Sequence, residues 1–131
     1  MIKVLLWIAT VIVAGHGLIH LLGYVAYWPL ARVAELPYKT ALAGGRWEVG
    51  PLGMKLYALL WLIATAGYAL ALVDLHTGQS WWRPVMLATT ALSTALILLD
   101  WAPAFRGAIV NLAILALMGL LYLLPTGLSA R

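Results

Sequence analysis

The chain contains no cysteine, and only 9% of its residues are charged. The first absence excludes disulfides and thiol chemistry, and with them a quinone-linked thiol oxidoreductase built on four helices. It leaves the redox compartment undetermined. The second excludes an ordinary soluble domain, in which about a quarter of the residues are charged; this chain has too little charge to cover a water-facing surface. A Gly-rich phosphate loop and a nucleophile elbow are also absent. The net charge is +4, but the basic residues are scattered singly. They read as flanks of membrane spans rather than as a nucleic-acid surface, so no nucleic-acid partner is expected. There is no internal repeat and no low-complexity tract.

What is present is hydrophobic: 65% of 131 residues, a length that suits one domain, 1–131. Four apolar runs occupy about 4–28, 56–73, 84–101 and 108–124. They are continuous rather than alternating, and in hydrocarbon only helices and closed barrels satisfy their backbone, so helices are predicted. A crossing needs roughly 20 residues; the third run is short unless Trp82 or Trp101 extends it. The fold expected is all-α, an integral membrane four-helix bundle, multi-pass in the cell (inner) membrane, with the bilayer as its first partner. Lys3 followed by an apolar run looks like a signal peptide. However, Val4 to Leu30 holds no Lys, Arg, Asp or Glu and no small-residue cleavage site closes it, so it reads as a retained span. Pro84 suits a first helical turn, Asp100-Trp101-Ala102-Pro103 stops the third span, and Pro125 and Gly127 suit the end of the fourth.

Let side A be the face where the first span begins and side B the other. Trp7, Trp81, Trp82 and Tyr122 then fall at side A, and Tyr27, Trp28, Tyr57 and Trp101 at side B, as two interfacial belts. Both termini are expected on side A. The long connection, 31–55, lies on side B and carries Pro37, Pro51, Gly44, Gly45, Gly50 and Gly53. Its Tyr38, Trp47, Leu52 and Met54 are too apolar for a disordered linker, so it is expected to pack on the side-B mouth. Basic residues are nearly balanced between the sides, which leaves orientation open.

Two histidines stand inside the first run. His16 and His20 are spaced i, i+4 on one helix face, continued by Gly23 and Tyr27. At 1.5 Å per residue they lie about 18 and 24 Å from side A, at or beyond mid-membrane. Asp100, at the end of the third span, and Asn111, in the fourth, fall at similar depth. The candidate polar cluster is therefore His16, His20, Tyr27, Asp100 and Asn111. Intramembrane ionisable groups point to a ligand, proton or metal site; the competing account is a hydrogen-bond network that fixes helix register, with the glycines flanking His16 allowing close helix approach. Metal is the weaker idea, because a His-x-x-x-His pair supplies two ligands where zinc takes at least three from protein, with Asp100 as the candidate third. His76 sits in the side-A turn, too far to help. Haem needs axial ligands from opposite faces, which one helix face does not provide, although a homodimer donating one histidine per chain would. Thr89, Thr90, Ser93 and Thr94 are expected to bond their own helix carbonyls or a neighbouring helix. Asp74, Glu35 and Glu48 lie outside the spans, in solvent.

Gly15-His16-Gly17-Leu18-Ile19-His20-Leu21-Leu22-Gly23-Tyr24 resembles the HGLIHLLGF-type first-span signature of small four-span bacterial membrane proteins, DoxX-like in general plan. Leu92-Ser93, Leu96-Ile97, Trp101, Ala104, Gly107 and Asn111 are similar to the third and fourth spans of the same proteins. Those proteins carry an acidic residue two positions after the Trp; here Pro103 stands there and Asp100 precedes the Trp. The resemblance implies a fold and a membrane location, and no activity. The expected function is a non-enzymatic multi-pass protein with a polar pocket in the side-B leaflet that binds a small ligand or partner protein. One alternative is a quinone-binding or redox accessory subunit, with His20 donating to a quinone carbonyl and Asp100 orienting it. The other is a small transporter working as a homodimer.

Overall fold

The computed structural model describes residues 1–123. The four apolar runs are helices: α1 (Ile2–Tyr27), α2 (Gly50–Thr77), α3 (Trp82–Leu99) and α4 (Trp101–Leu123). All four are long and apolar enough to cross a bilayer. The chain is a multi-pass membrane protein with an all-α, four-helix bundle fold. Each helix packs on the next, and α1 closes the ring against α4. Ala9, Leu75, Trp82 and Leu121 line one small cavity at side A, so the helices run alternately up and down and Leu123 returns to the side of Ile2.

The helix bounds differ from the uncharged runs for a physical reason. Lys55 lies inside α2, where its ammonium reaches the Trp28 ring, 5.5 Å from the centroid. Arg106 lies inside α4 beside the Phe105 ring at 5.8 Å. A long basic stem covers apolar surface while its head seeks the interface, so these charges do not end the helices. Asp74 and His76 likewise belong to the last turns of α2 rather than to a turn, and Gly78, at φ 74°, caps that helix in the left-handed conformation. Pro103 is the third residue of α4, where a missing N–H costs nothing, so it stands inside the new helix just beyond the break. Asp100 alone separates α3 from α4: its N–H caps α3, and its carbonyl accepts the first bond of α4 from Ala104 at 3.1 Å. Pro125 and Gly127 lie outside the described residues.

The connection is residues 28–49, and it is folded. Strands β1 (Ala41–Leu42) and β2 (Trp47–Glu48) pair antiparallel, Ala41 opposite Glu48. Ala43, Gly44 and Gly45 turn the hairpin with φ of 52°, 65° and 86°; only small residues take that region cheaply. Its anchors are Leu36 and Leu42, which join the side-B apolar cluster of Tyr27, Met54, Tyr57, Trp61 and Leu96. Tyr38, Trp47 and Leu52 are exposed instead. Ala43 N–H donates to Leu99 O at 2.8 Å, satisfying a carbonyl at the end of α3.

Two of the aromatic assignments change. Tyr27 and Tyr57 are core residues rather than members of a side-B belt. Trp7, Trp81, Tyr122 and Trp101 are exposed, as belt residues should be. A second apolar cluster, Val13, Tyr68, Ala71, Met86 and Ile114, fills the side-A half.

Candidate functional site

Between the two apolar clusters lies one polar layer. His16, His20, Ser93 and Asn111 are each at most 3% exposed and come from α1, α3 and α4. The helix period places Ser93 within a turn of Thr89 and Thr90, so the hydroxyl face of α3 meets the histidine face of α1. Tyr68 of α2 closes the layer, its ring 5.4 Å from that of His16 and 5.6 Å from that of His20.

The proton positions follow from two backbone carbonyls, which only accept. Thr94 Oγ1 donates to Thr90 O at 2.8 Å. Its remaining role is to accept, so the group of Asn111 facing it at 3.0 Å is the Nδ2 amide. That amide also donates to Ser93 Oγ at 3.0 Å. Asn111 Oδ1 therefore faces the other way, accepting from Tyr68 OH at 3.2 Å and from His16 Nε2 at 2.8 Å. At the second carbonyl, His20 Nδ1 donates to His16 O at 2.9 Å, which leaves His20 Nε2 to accept from Ser93 Oγ at 2.8 Å. In the neutral imidazole one nitrogen donates and the other accepts. His20 is then fully used. His16 is not: Nε2 donates to Asn111, and the lone pair on Nδ1 is buried without a partner.

The five sequence candidates thus share a layer only in part. His16, His20 and Asn111 come together through Ser93. Tyr27 and Asp100 form a separate group about two helical turns nearer side B. Asp100, 1% exposed, accepts a hydrogen bond from Tyr27 OH and one from Lys39 Nζ of the connection. No hydrogen bond joins it to His20 or Asn111 among the described residues. The reason is its position: at the single-residue break between α3 and α4, its carboxylate is carried past the end of α3 towards the connection. Nothing in the sequence marks Lys39, which lies 61 residues away from Asp100. Tyr68 had a readable signal, since a buried tyrosine hydroxyl needs a partner. Ser93 had one too, in its spacing from Thr89 and Thr90.

Of the glycines beside His16, only Gly17 is at a close approach, where a Cβ would stand 3.3 Å from that of Tyr68; Gly15 faces open space. His76 makes a pair at side A, its Nε2 2.8 Å from Thr10 Oγ1. No group of three metal-ligating side chains occurs among the described residues.

Beside the polar layer, in the side-B half, is a cavity of about 300 Å³ between α1 and α4. His16, Ile19, His20 and Leu22 form one wall, and Ala104, Gly107 and Val110 the other. Val33 and Leu36 of the connection roof it, with exposed Glu35 and Arg106 at its mouth. Gly107 lies close to the imidazole of His16: a Cβ there would stand 3.4 Å from Cε1, the carbon between the two ring nitrogens. Trp61 lines the same space, its buried indole Nε1 without a hydrogen-bond partner.

No family model matches the chain, and no curated protein or solved structure is significantly similar to it.

Proposed function

We propose that this is a binding protein of the cell (inner) membrane, which holds a small lipid-soluble molecule in the cleft between α1 and α4. The observation that carries this reading is a roofed, mostly apolar cavity lined by two residues, His16 and Trp61, that each hold a buried ring nitrogen without a partner. Buried polar atoms are nearly always paired, and each exception asks for a reason. Ligand sites have this character: apolar walls, a few polar groups that fix orientation, and volumes from about 300 Å³ upward. The rest of the polar layer is satisfied within the protein, so it serves as a rigid backing that holds the His16 ring in place.

The geometry foreseen for a quinone differs from this site. Both nitrogens of His20 are engaged by the protein, and Asp100 is held by Tyr27 and Lys39. The lining residues with capacity to spare are His16, at Nδ1, and Trp61, at Nε1.

Purification in mild detergent followed by mass spectrometry of bound small molecules tests the reading. Ile19 is half exposed at the cleft wall, so Ile19→Trp should fill the opening without invading the packed core. Wild-type protein should carry a molecule that Ile19→Trp lacks. Identical bound contents in the two proteins would count against the cleft.

A further inference from the structure

Resting on the binding cleft just described, we infer that the molecule held there is a zwitterionic phospholipid with a primary ammonium group. One acyl chain lies in the cleft, the phosphate meets Arg106 at the mouth, and the ammonium meets Glu35. The first support is charge. Glu35 of the connection and Arg106 of α4 line the same cavity, one acid and one base, both exposed. Neither belongs to an ion pair or a side-chain hydrogen bond among the described residues, where Lys39 and Asp100 form the ion pair. The other charges at the side-B end are placed elsewhere. Lys39 is held at Asp100, Lys55 over the Trp28 ring and Glu48 at the Gly50 N–H. Arg46 belongs to the hairpin, and Arg32 lines a separate hollow of the connection.

The second support is depth. α4 begins at Trp101, an exposed aromatic at the side-B interface, and Arg106 lies about 8 Å further in by the helical rise. A long basic side chain at that depth extends back to the headgroup level, where phosphates lie. Below the mouth the walls are aliphatic: Ile19, Leu22, Ile97 and Val110. Ile19 and Leu22 are exposed on the outer side of α1, so an acyl chain enters sideways from the bilayer. The two charges select the headgroup. A guanidinium matches a phosphate in shape and charge. An anionic lipid with a hydroxylated headgroup uses Arg106 and sets its excess charge near Glu35. A quaternary ammonium balances the carboxylate but has no N–H to donate, whereas a primary ammonium has three. A serine headgroup brings a second carboxylate towards the first.

Native mass spectrometry of the full-length protein provides the test, with release from micelles that hold equal amounts of palmitoyl-oleoyl phosphatidylethanolamine, phosphatidylcholine and phosphatidylglycerol. Wild-type protein should retain the ethanolamine lipid about threefold or more over each of the others, the modest factor expected of charges at an exposed mouth. Glu35→Gln should bring the ethanolamine lipid down to the level of the choline lipid. Arg106→Gln should lower all three, because the phosphate is common to them. Both side chains are exposed, so these variants should fold as the wild type does. Ile19→Trp should lose the ethanolamine preference by filling the cleft. Equal retention of the three lipids by the wild type, an ethanolamine preference that survives Glu35→Gln or Ile19→Trp, or retention unchanged in Arg106→Gln overturns the phospholipid assignment. The cleft then still stands on whatever other molecule Ile19→Trp excludes. Identical bound contents of every kind in wild type and Ile19→Trp overturn the cleft and the assignment together.

Discussion

His16 and His20 occupy equivalent positions one turn apart, yet one is saturated and the other is not, because only His20 turns Nδ1 back onto a helix carbonyl. That difference has consequences for coupling. His16 and Asn111 share a hydrogen bond at 2.8 Å, so His16→Phe and Asn111→Leu each leave the other short of a partner. Each should cost about 1–3 kcal/mol, and the double change should cost less than the sum by about 0.5 kcal/mol or more. His20→Leu and Asp100→Leu share no partner and should add. Unfolding of the singles and doubles in detergent measures both. Additivity at His16 and Asn111, or coupling between His20 and Asp100, would contradict the network as described. The sequence revealed the depth of these side chains, since a rise per residue is enough to place them. It did not reveal their partners, because which face of α3 and α4 turns inward depends on packing that no single span encodes. Asp100 shows this most plainly: its depth suggested His20, and the helix break sent it to Tyr27 and Lys39.

At the scale of helices, close approach is set by a few small residues. Gly23 of α1 lies against the Trp61 indole, where a Cβ would stand 2.4 to 2.9 Å from ring atoms. Such atoms do not fit without moving a packed ring, and Trp61 is itself buried against Tyr27 and Tyr57. Gly23→Ala should therefore destabilise by about 1–3 kcal/mol, as overpacking does. Gly15→Ala, on the same helix with nothing within 4 Å, should be neutral or slightly stabilising, since alanine is the better helix former. Thermal unfolding of the two variants side by side checks this, and equal stabilities would mean that α1 and α2 do not meet at Gly23. The helices themselves were legible in the uncharged runs. Their ends were not, because Lys55 and Arg106 interrupt the runs without interrupting the helices, their stems lying along Trp28 and Phe105.

For the whole molecule, the connection is what covers the side-B end of the four helices. Leu36 and Leu42 bury it, Ala43 bonds the end of α3, and Lys39 reaches the Asp100 carboxylate. The first two hold by apolar contact and backbone pairing, but the third involves a charge. Asp100 is almost wholly buried, while Lys39 is about one-third exposed at 33% of its side chain. Removing the lysine strands a carboxylate with only the Tyr27 hydroxyl to stabilise it. Breaking a buried pair costs about 3–5 kcal/mol, and the exposure of Lys39 puts Lys39→Met at or below the lower end of that range. Removing both charges relieves the stranded group, so Lys39→Met with Asp100→Leu should be more stable than Lys39→Met alone. The roof over the cleft is part of the same segment, so Lys39→Met should also speed proteolysis between residues 31 and 49 in intact membranes. The double variant should restore stability but not protection, because the tie between connection and bundle is still missing. Recovery of both together would mean that the ion pair does not hold the connection down, and that Leu36, Leu42 and Ala43 suffice.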